Sequence, residues 1–428
     1  MNSFISFIQK TYKMARPHER KAVLRNFASL TTLQTVTYIL PLIVLPYLFR
    51  TLGPDKFGLI AFAQAFVQYF MILTDYGFNI SATKEISLCQ KEHAKICRVF
   101  SDVMTAKLAL AFISLAILSV IVCFIPKFRN DWQVYILSFG SVVGNTLFPV
   151  WFFQGKEKMK HIADINIVGG IIFALCIFIF VKKPADYLLV PLITSVVFLT
   201  TGTLGLYMVF QRFGVSYRFR GYKTVRSELA AGWDIFISIA AINAYTTTRV
   251  FTLGLLTNNA LTGFYSMAEK IANVFQTFPQ ASFTQALFPR ISRTYRTNKA
   301  KAYRFMERLQ RISVGISFIT LPLGFIFSKG IVKIACGEDY PQAALALRIL
   351  LAAVFFVRAN AFRVQFLLVA GKTHIYSRIH VIMAMIGLPL IFLLIYSYSY
   401  AGAAIATVVI EVGIFTITYF TVKRLILS

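Results

Sequence analysis

The chain has 428 residues, 57% hydrophobic, 15% aromatic and only 14% charged, with a mean hydropathy of +0.67. A soluble domain carries about a quarter of its residues as charges, so these values exclude a water-soluble globule and point to an integral membrane protein. The net charge of +27 resembles that of a nucleic-acid binder, a reading that has to be weighed against topology.

A membrane-crossing helix needs about 20 mostly apolar residues. Twelve segments qualify, near 27–49, 58–80, 101–125, 132–153, 162–181, 187–210, 229–256, 262–288, 310–328, 341–369, 375–396 and 400–421. The fold class expected is therefore all-α and polytopic. Residues 1–26 form a basic segment with Lys10, Lys13, Arg16, Arg20, Lys21 and Arg25. No small-residue cleavage site follows a short apolar core there, so no removable signal is expected. Phe4, Phe7, Ile8 and Tyr12 stand among polar neighbours, which fits an interfacial helix or an unstructured tail. Residues 27–210 read as a first lobe of six helices, 211–228 as a basic cytoplasmic linker and 229–428 as a second lobe of six. Six crossings return the chain to its starting side, so the halves form a parallel repeat. Pro41 and Pro46 are expected to bend the first span, Pro279 the eighth and Pro322 the ninth.

The repeat is clearest in a polar stripe. Gln64, Gln68, Asp75 and Asn79 recur at helical spacing, and adding 205 to each number gives Glu269, Asn273, Gln280 and Thr284. The same shift maps Gly58 on Gly263, and Lys84, Glu85, Ile86, Ser87 on Pro289, Arg290, Ile291, Ser292. Such spacing gathers each stripe on one helical face. A polar face cannot look at lipid, where unsatisfied groups are costly. Two related halves turning polar faces to a shared interior outline a transporter. The expected cavity lining is Gln64, Gln68, Asp75, Asn79, Glu269, Asn273, Gln276 and Gln280.

With the amino terminus in the cytoplasm, cytoplasmic segments hold 30 Lys or Arg and outer loops 8. This positive-inside asymmetry puts both termini inside and accounts for most of the charge without nucleic acid. The eight cations from Arg290 to Arg311 fit anionic lipid headgroups better than RNA. Six cations remain within spans: Lys107, Arg249, Lys270, Arg348, Arg358 and Arg363. Each costs roughly 2.5–3.5 kcal/mol at mid-bilayer, so each needs a cavity, a partner or a route to the interface.

Arg249 lies among Asn243, Tyr245, Thr246, Thr247 and Thr248. It either grips phosphate oxygens across the cavity or pairs with an acid such as Glu269. Lys270 follows Glu269, so the two point about 100° apart on a helix. Arg358 shares a face with Gln365 and is the third candidate for an anionic headgroup. Asp75, on the stripe, is the acid best placed to couple transport to an ion, with Glu269 as a second candidate. Glu411 reads as a hydrogen-bonded structural acid. No metal spacing occurs among the five histidines, no G-x-S-x-G is present, and the Gly371-Lys372-Thr373 run lacks the upstream glycine of a phosphate loop. An enzyme is therefore not expected, nor a cofactor, nor, with five scattered cysteines, a disulfide framework.

LPYLFRTLGPDKFGLIAFAQ (45–64), FNISATKEIS (78–87), FPVWFFQGKEKMK (148–160, with Trp151 to Gly155 as WFFQG) and IACGEDYPQAALALRIL (334–350) occur in this order. Together they resemble the polysaccharide transporter family of the multidrug/oligosaccharidyl-lipid/polysaccharide exporter superfamily, and most of all its bacterial O-antigen flippases. The resemblance implies two lobes around a cationic cavity. It implies a substrate of undecaprenyl pyrophosphate carrying one oligosaccharide repeat. That lipid would move by alternating access from the cytoplasmic to the periplasmic leaflet of the bacterial inner membrane. It also implies the polysaccharide polymerase and chain-length regulator as partners. The related peptidoglycan-precursor flippases carry an arginine in the first helix; here Val44 and its neighbours supply none. Physics fits this expectation. Cations in a low-dielectric cavity hold pyrophosphate, the carboxamides meet the sugar, and an inside-negative potential favours outward movement of each negative charge by about 2.3 kcal/mol per 100 mV. A drug exporter of the same superfamily is the runner-up, disfavoured by the intramembrane cations. A membrane polymerase or ligase is third, disfavoured by the short outer loops.

Overall fold

The computed structural model describes residues 17–90, 92–277, 291, 294–295 and 297–427. The described residues form helices and connecting turns, with no strand among them. In chain order these are α1 (Pro17–Asp75), α2 (Phe78–Leu88), α3 (His93–Phe124), α4 (Pro126–Arg129), α5 (Trp132–Leu147), α6 (Val150–Gly155), α7 (Met159–Phe180), a 3₁₀ turn (Pro184–Leu188), α8 (Leu189–Phe213), α9 (Tyr222–Leu256), α10 (Asn259–Thr277), α11 (Lys299–Ile326), α12 (Ser328–Cys336), α13 (Pro341–Val369) and α14 (Thr373–Leu427). Nine segments among the described residues are long and apolar enough to cross a membrane.

The two longest helices are each broken once. At 1.5 Å per residue, the 59 residues of α1 run about 88 Å, far beyond a hydrocarbon core of about 30 Å. Gly53 breaks α1 with φ 75°, a left-handed value that glycine adopts freely. Gly53 falls between the first two predicted spans, 27–49 and 58–80, while Pro41 and Pro46 lie inside helix within the first. Ser399, at φ 54°, breaks the 55-residue α14 in the same manner. α1 stops at Asp75 because Tyr76 and Gly77 both take positive φ, 42° and 83°. The predicted eighth span is helical to Thr277; Pro279, Gln280, Thr284 and residues 1–15, read as an interfacial helix or a tail, lie outside the described residues.

α1 and α10 cross at glycines. A Cβ added to Gly58 would lie 1.8 Å from the Asn259 carbonyl oxygen, and one added to Gly263 would lie 2.2 Å from the Pro54 carbonyl oxygen. The contact is reciprocal at the offset of 205 read from the sequence, since 54 maps on 259 and 58 on 263. Missing side chains let the two backbones touch, as small residues do between membrane helices. Near this crossing two cations of the first lobe cap helix ends of the second. Arg50 donates to the carbonyls of Ile334 and Ala335 in the last turn of α12. Lys127 Nζ donates to Leu255 and Thr257 at the end of α9, at 2.8 and 3.3 Å. Both complement the negative end of a helix dipole. Burial holds the Lys127 ammonium below the usual lysine range. Tyr340 seals the region with its ring 5.7 Å from Phe49 and 5.0 Å from Phe264.

The segment read as a linker, 211–228, is helical at both ends, and only 214–221 is irregular. That stretch is strapped to α3. Arg220 pairs with Asp102 at 2.9 Å, the Arg218 amide donates to Ser101 Oγ at 3.0 Å, and Tyr217 meets Thr105 at 3.2 Å.

Candidate functional site

A cavity of about 570 Å³ opens among α1, α5, α8, α9, α10, α13 and α14. Its two sides differ chemically. Helices α1 to α8 supply Gln64 and Gln68 from α1, Ser138 and Ser141 from α5, and Thr194 from α8. None of these carries charge. Ser138 and Ser141 donate to backbone carbonyls of their own helix, at 2.7 and 2.6 Å, which satisfies their protons and leaves oxygen lone pairs toward the cavity.

Helices α9 to α14 supply every charge among the described lining residues: Arg249 from α9, Glu269 and Lys270 from α10, and Glu411 from α14. Two cations thus face two acids, and the cavity is formally neutral rather than cationic. Arg249 is the hub. Its guanidinium lies 3.4 Å from Glu269 Oε1, donates to Thr407 Oγ1 at 2.8 Å and reaches the Thr246 carbonyl at 3.4 Å. The fully buried Tyr265 backs this group, with its hydroxyl 3.5 Å from both Glu269 and Thr407. Arg249 therefore lines the cavity and is paired with Glu269. Lys270 is exposed to the cavity and pairs with no acid among the described residues. Glu411 makes no hydrogen bond or ion pair among them either.

Gln64 and Gln68 stand on one side, Asn273 and Gln276 on the other. All four carboxamides lack a hydrogen-bond partner among the described residues. Each offers two donors and an acceptor, so both walls present uncommitted neutral groups.

Other predicted site residues sit elsewhere. Asp75 is not in the cavity wall. It accepts from Lys107 Nζ at 3.0 Å and Asn145 Nδ2 at 3.2 Å, so the acid proposed for coupling serves a buried ion pair of the first lobe. Asn79 belongs to α2, beyond the Tyr76–Gly77 break, and its carbonyl accepts from Thr83. The first stripe therefore divides after Gln68. Arg358 is 2% exposed and outside the cavity. It donates to Thr320 at 2.8 Å, to Ser317 at 3.4 Å and to the Phe275 carbonyl. It ties α13 to α11 and α10, a structural use of its donors. Arg348 donates to Ser328 at 2.7 Å, and Arg363 lies over Phe415 and Tyr419 at 5.2 and 5.0 Å. Gln280 lies outside the described residues.

Sequence reading missed the wall residues Ser138, Ser141, Thr194 and Thr407, and favoured a structural place for Glu411. A signal existed. Thr407 and Glu411 are four apart, and Ser138 and Ser141 three apart, in apolar spans. That is the one-face spacing that marked the stripes.

A family model described as "Polysaccharide biosynthesis protein" matches residues 23–295. An Escherichia coli (strain K12) protein named "Putative O-antigen transporter" is 33% identical over 393 residues, 90% of this chain and 93% of that protein. A Haloferax volcanii protein named "Probable low-salt glycan biosynthesis flippase Agl15" is 24% identical over 368 residues, 84% of this chain and 74% of its own. Among solved structures, "Lipid II flippase MurJ, inward closed conformation" superposes with TM-score 0.76 at 13% identity, over 92% of this chain and 87% of that one. An inward-facing multidrug resistance MATE family transporter of the MOP superfamily gives TM-score 0.67 at 12% identity, over 92% and 95%. At such identities the two structures establish a shared fold.

Proposed function

We propose that this chain, which belongs to the polysaccharide biosynthesis protein family, is a transporter that flips lipid-linked oligosaccharide repeat units across a bacterial inner membrane. The substrate is undecaprenyl pyrophosphate bearing one repeat of an O-antigen or similar surface polysaccharide. It moves from the cytoplasmic to the periplasmic leaflet by alternating access, with both termini of the chain cytoplasmic. The reading rests on the names of its relatives and on one observation above all: an uncharged wall with Gln64 and Gln68 faces a wall that carries two cations beside two acids, with Lys270 unpaired among the described residues. The sugar calls for many neutral donors and acceptors, and the pyrophosphate calls for cations held in a dry site.

Neutrality of the empty cavity gives the pyrophosphate a defined entry. Lys270 is available at once. Arg249 is released when phosphate oxygens replace Glu269 in its fork, and planar bidentate recognition suits guanidinium. Glu269 then holds an uncompensated charge, which makes it the residue where a coupling ion would bind. The polysaccharide polymerase, the chain-length regulator and anionic lipids are the proposed partners. Deletion of the gene tests the reading. Undecaprenyl-linked single repeats are expected to accumulate facing the cytoplasm while surface polymer disappears. Normal polymer in a strain with no second such transporter would overturn it.

A further inference from the structure

A second cavity, of about 540 Å³, adjoins the first between α1, α7 and α10. Its character is opposite. Leu40, Val44, Leu48 and Leu52 of α1 face Ile167 and Phe173 of α7 across it. Those leucines and the valine repeat every four residues, so α1 presents one apolar stripe to this space. Pro41 is exposed at the rim, and Gly170 leaves the middle open, since a Cβ there would meet only the tip of Leu40, at 3.2 Å. The two cavities share a wall: Ala61, Gln64, Ser266 and Lys270 line both. Lys270 stands at the junction, an arrangement that suits its apolar stem and charged end.

We infer that this second cavity seats the isoprenoid units next to the phosphate of the substrate, so that the anionic link lies at Lys270 and the sugar in the polar cavity. The inference rests on the function proposed above and adds where the lipid is held. An apolar wall gives a hydrocarbon chain little that the bilayer does not, because lipid tails are already apolar surroundings. The seat therefore acts through position. A chain threaded between α1 and α7 fixes the phosphate beside Lys270 and limits the orientations of the head before the lobes move. It also separates a lipid-linked repeat from a free sugar phosphate of identical head chemistry.

Photolabelling of the full chain in phosphatidylethanolamine–phosphatidylglycerol nanodiscs tests this. One probe is undecaprenyl phosphate with a diazirine in the isoprene unit next to the phosphate; the other is phosphatidylglycerol with a diazirine in its acyl chain. The isoprenoid probe is expected to label Val44, Leu48 or Ile167, with labelling reduced roughly tenfold by unlabelled undecaprenyl phosphate and unchanged by phosphatidylglycerol. Gly170→Trp, which fills the space, is expected to abolish that labelling and lower transport by about tenfold or more at equal folded protein. Equal labelling by the acyl probe, or labelling confined to the lipid-facing surface, overturns the seat. Wild-type protein that flips the lipid-linked repeat without isoprenoid labelling in this cavity overturns the seat and leaves the proposed function standing. Wild-type protein that does not flip it overturns both.

Discussion

Arg249→Ala is expected to reduce transport at least about a hundredfold, while Arg249→Lys retains part of it. Arg249 is 11% exposed and Glu269 17% exposed in their pair. The alanine variant loses the charge-assisted fork proposed for the phosphate, two hydrogen bonds to a charged group worth about 1.5–3 kcal/mol each; at 1.4 kcal/mol per tenfold their loss exceeds a hundredfold. The alanine variant also leaves Lys270 alone against Glu269 and Glu411, so the cavity turns net negative and repels a phosphate. Lysine restores the charge without the planar fork. The double variant Arg249→Ala with Glu269→Gln separates two roles. If Arg249 serves the phosphate, the double variant recovers thermal stability but not transport. Recovery of both would reduce Arg249 to the structural partner of Glu269.

Lys107→Met is expected to damage the fold rather than the transport step. The Lys107 side chain is 1% exposed and reaches Asp75, 30% exposed, at 3.0 Å. Asn145 donates to the same oxygen at 3.2 Å. Asp75 is part-exposed and keeps the Asn145 bond, so losing the lysine costs about 1–3 kcal/mol, seen as a Tm in detergent lowered by a few degrees. Lys107→Met with Asp75→Asn removes both charges and should return most of the loss. A wild-type melt for Lys107→Met would deny the pair its structural role. Loss of transport in Asp75→Asn at unchanged Tm would restore Asp75 as a coupling acid.

The two stripes mark how far the sequence could be read. Helical period, lipid exclusion of polar faces and the 205-residue offset located Gln64, Gln68, Glu269, Lys270 and Asn273, all in the cavity wall. The same period carried the first stripe past Asp75, because it registers spacing and not the positive φ of Tyr76 and Gly77 that ends α1. Asp75 and Arg358 were drawn to the cavity by the cost of charge in a membrane. That cost is also met by a neighbour on another helix, Lys107 in one case and the α10 and α11 acceptors in the other, and pairing across helices leaves no mark on local spacing. Glu411 erred in the opposite direction: a single acid in an apolar span looks structural until α14 is seen to bring it to the same cavity as Arg249. The resemblance implied a cationic interior, whereas the acids that enter the same wall make it formally neutral.

The central claim is that a pyrophosphate-linked oligosaccharide crosses through this two-walled cavity. Proteoliposomes holding the purified chain and a lectin-accessible undecaprenyl-pyrophosphate repeat test it most directly, by the rate at which repeats loaded in one leaflet become accessible in the other. Wild-type protein is expected to move them faster than empty liposomes, and Arg249→Ala to fall to the empty-liposome rate. Equal rates for wild-type protein and empty liposomes, or an undiminished rate for Arg249→Ala, would contradict the account.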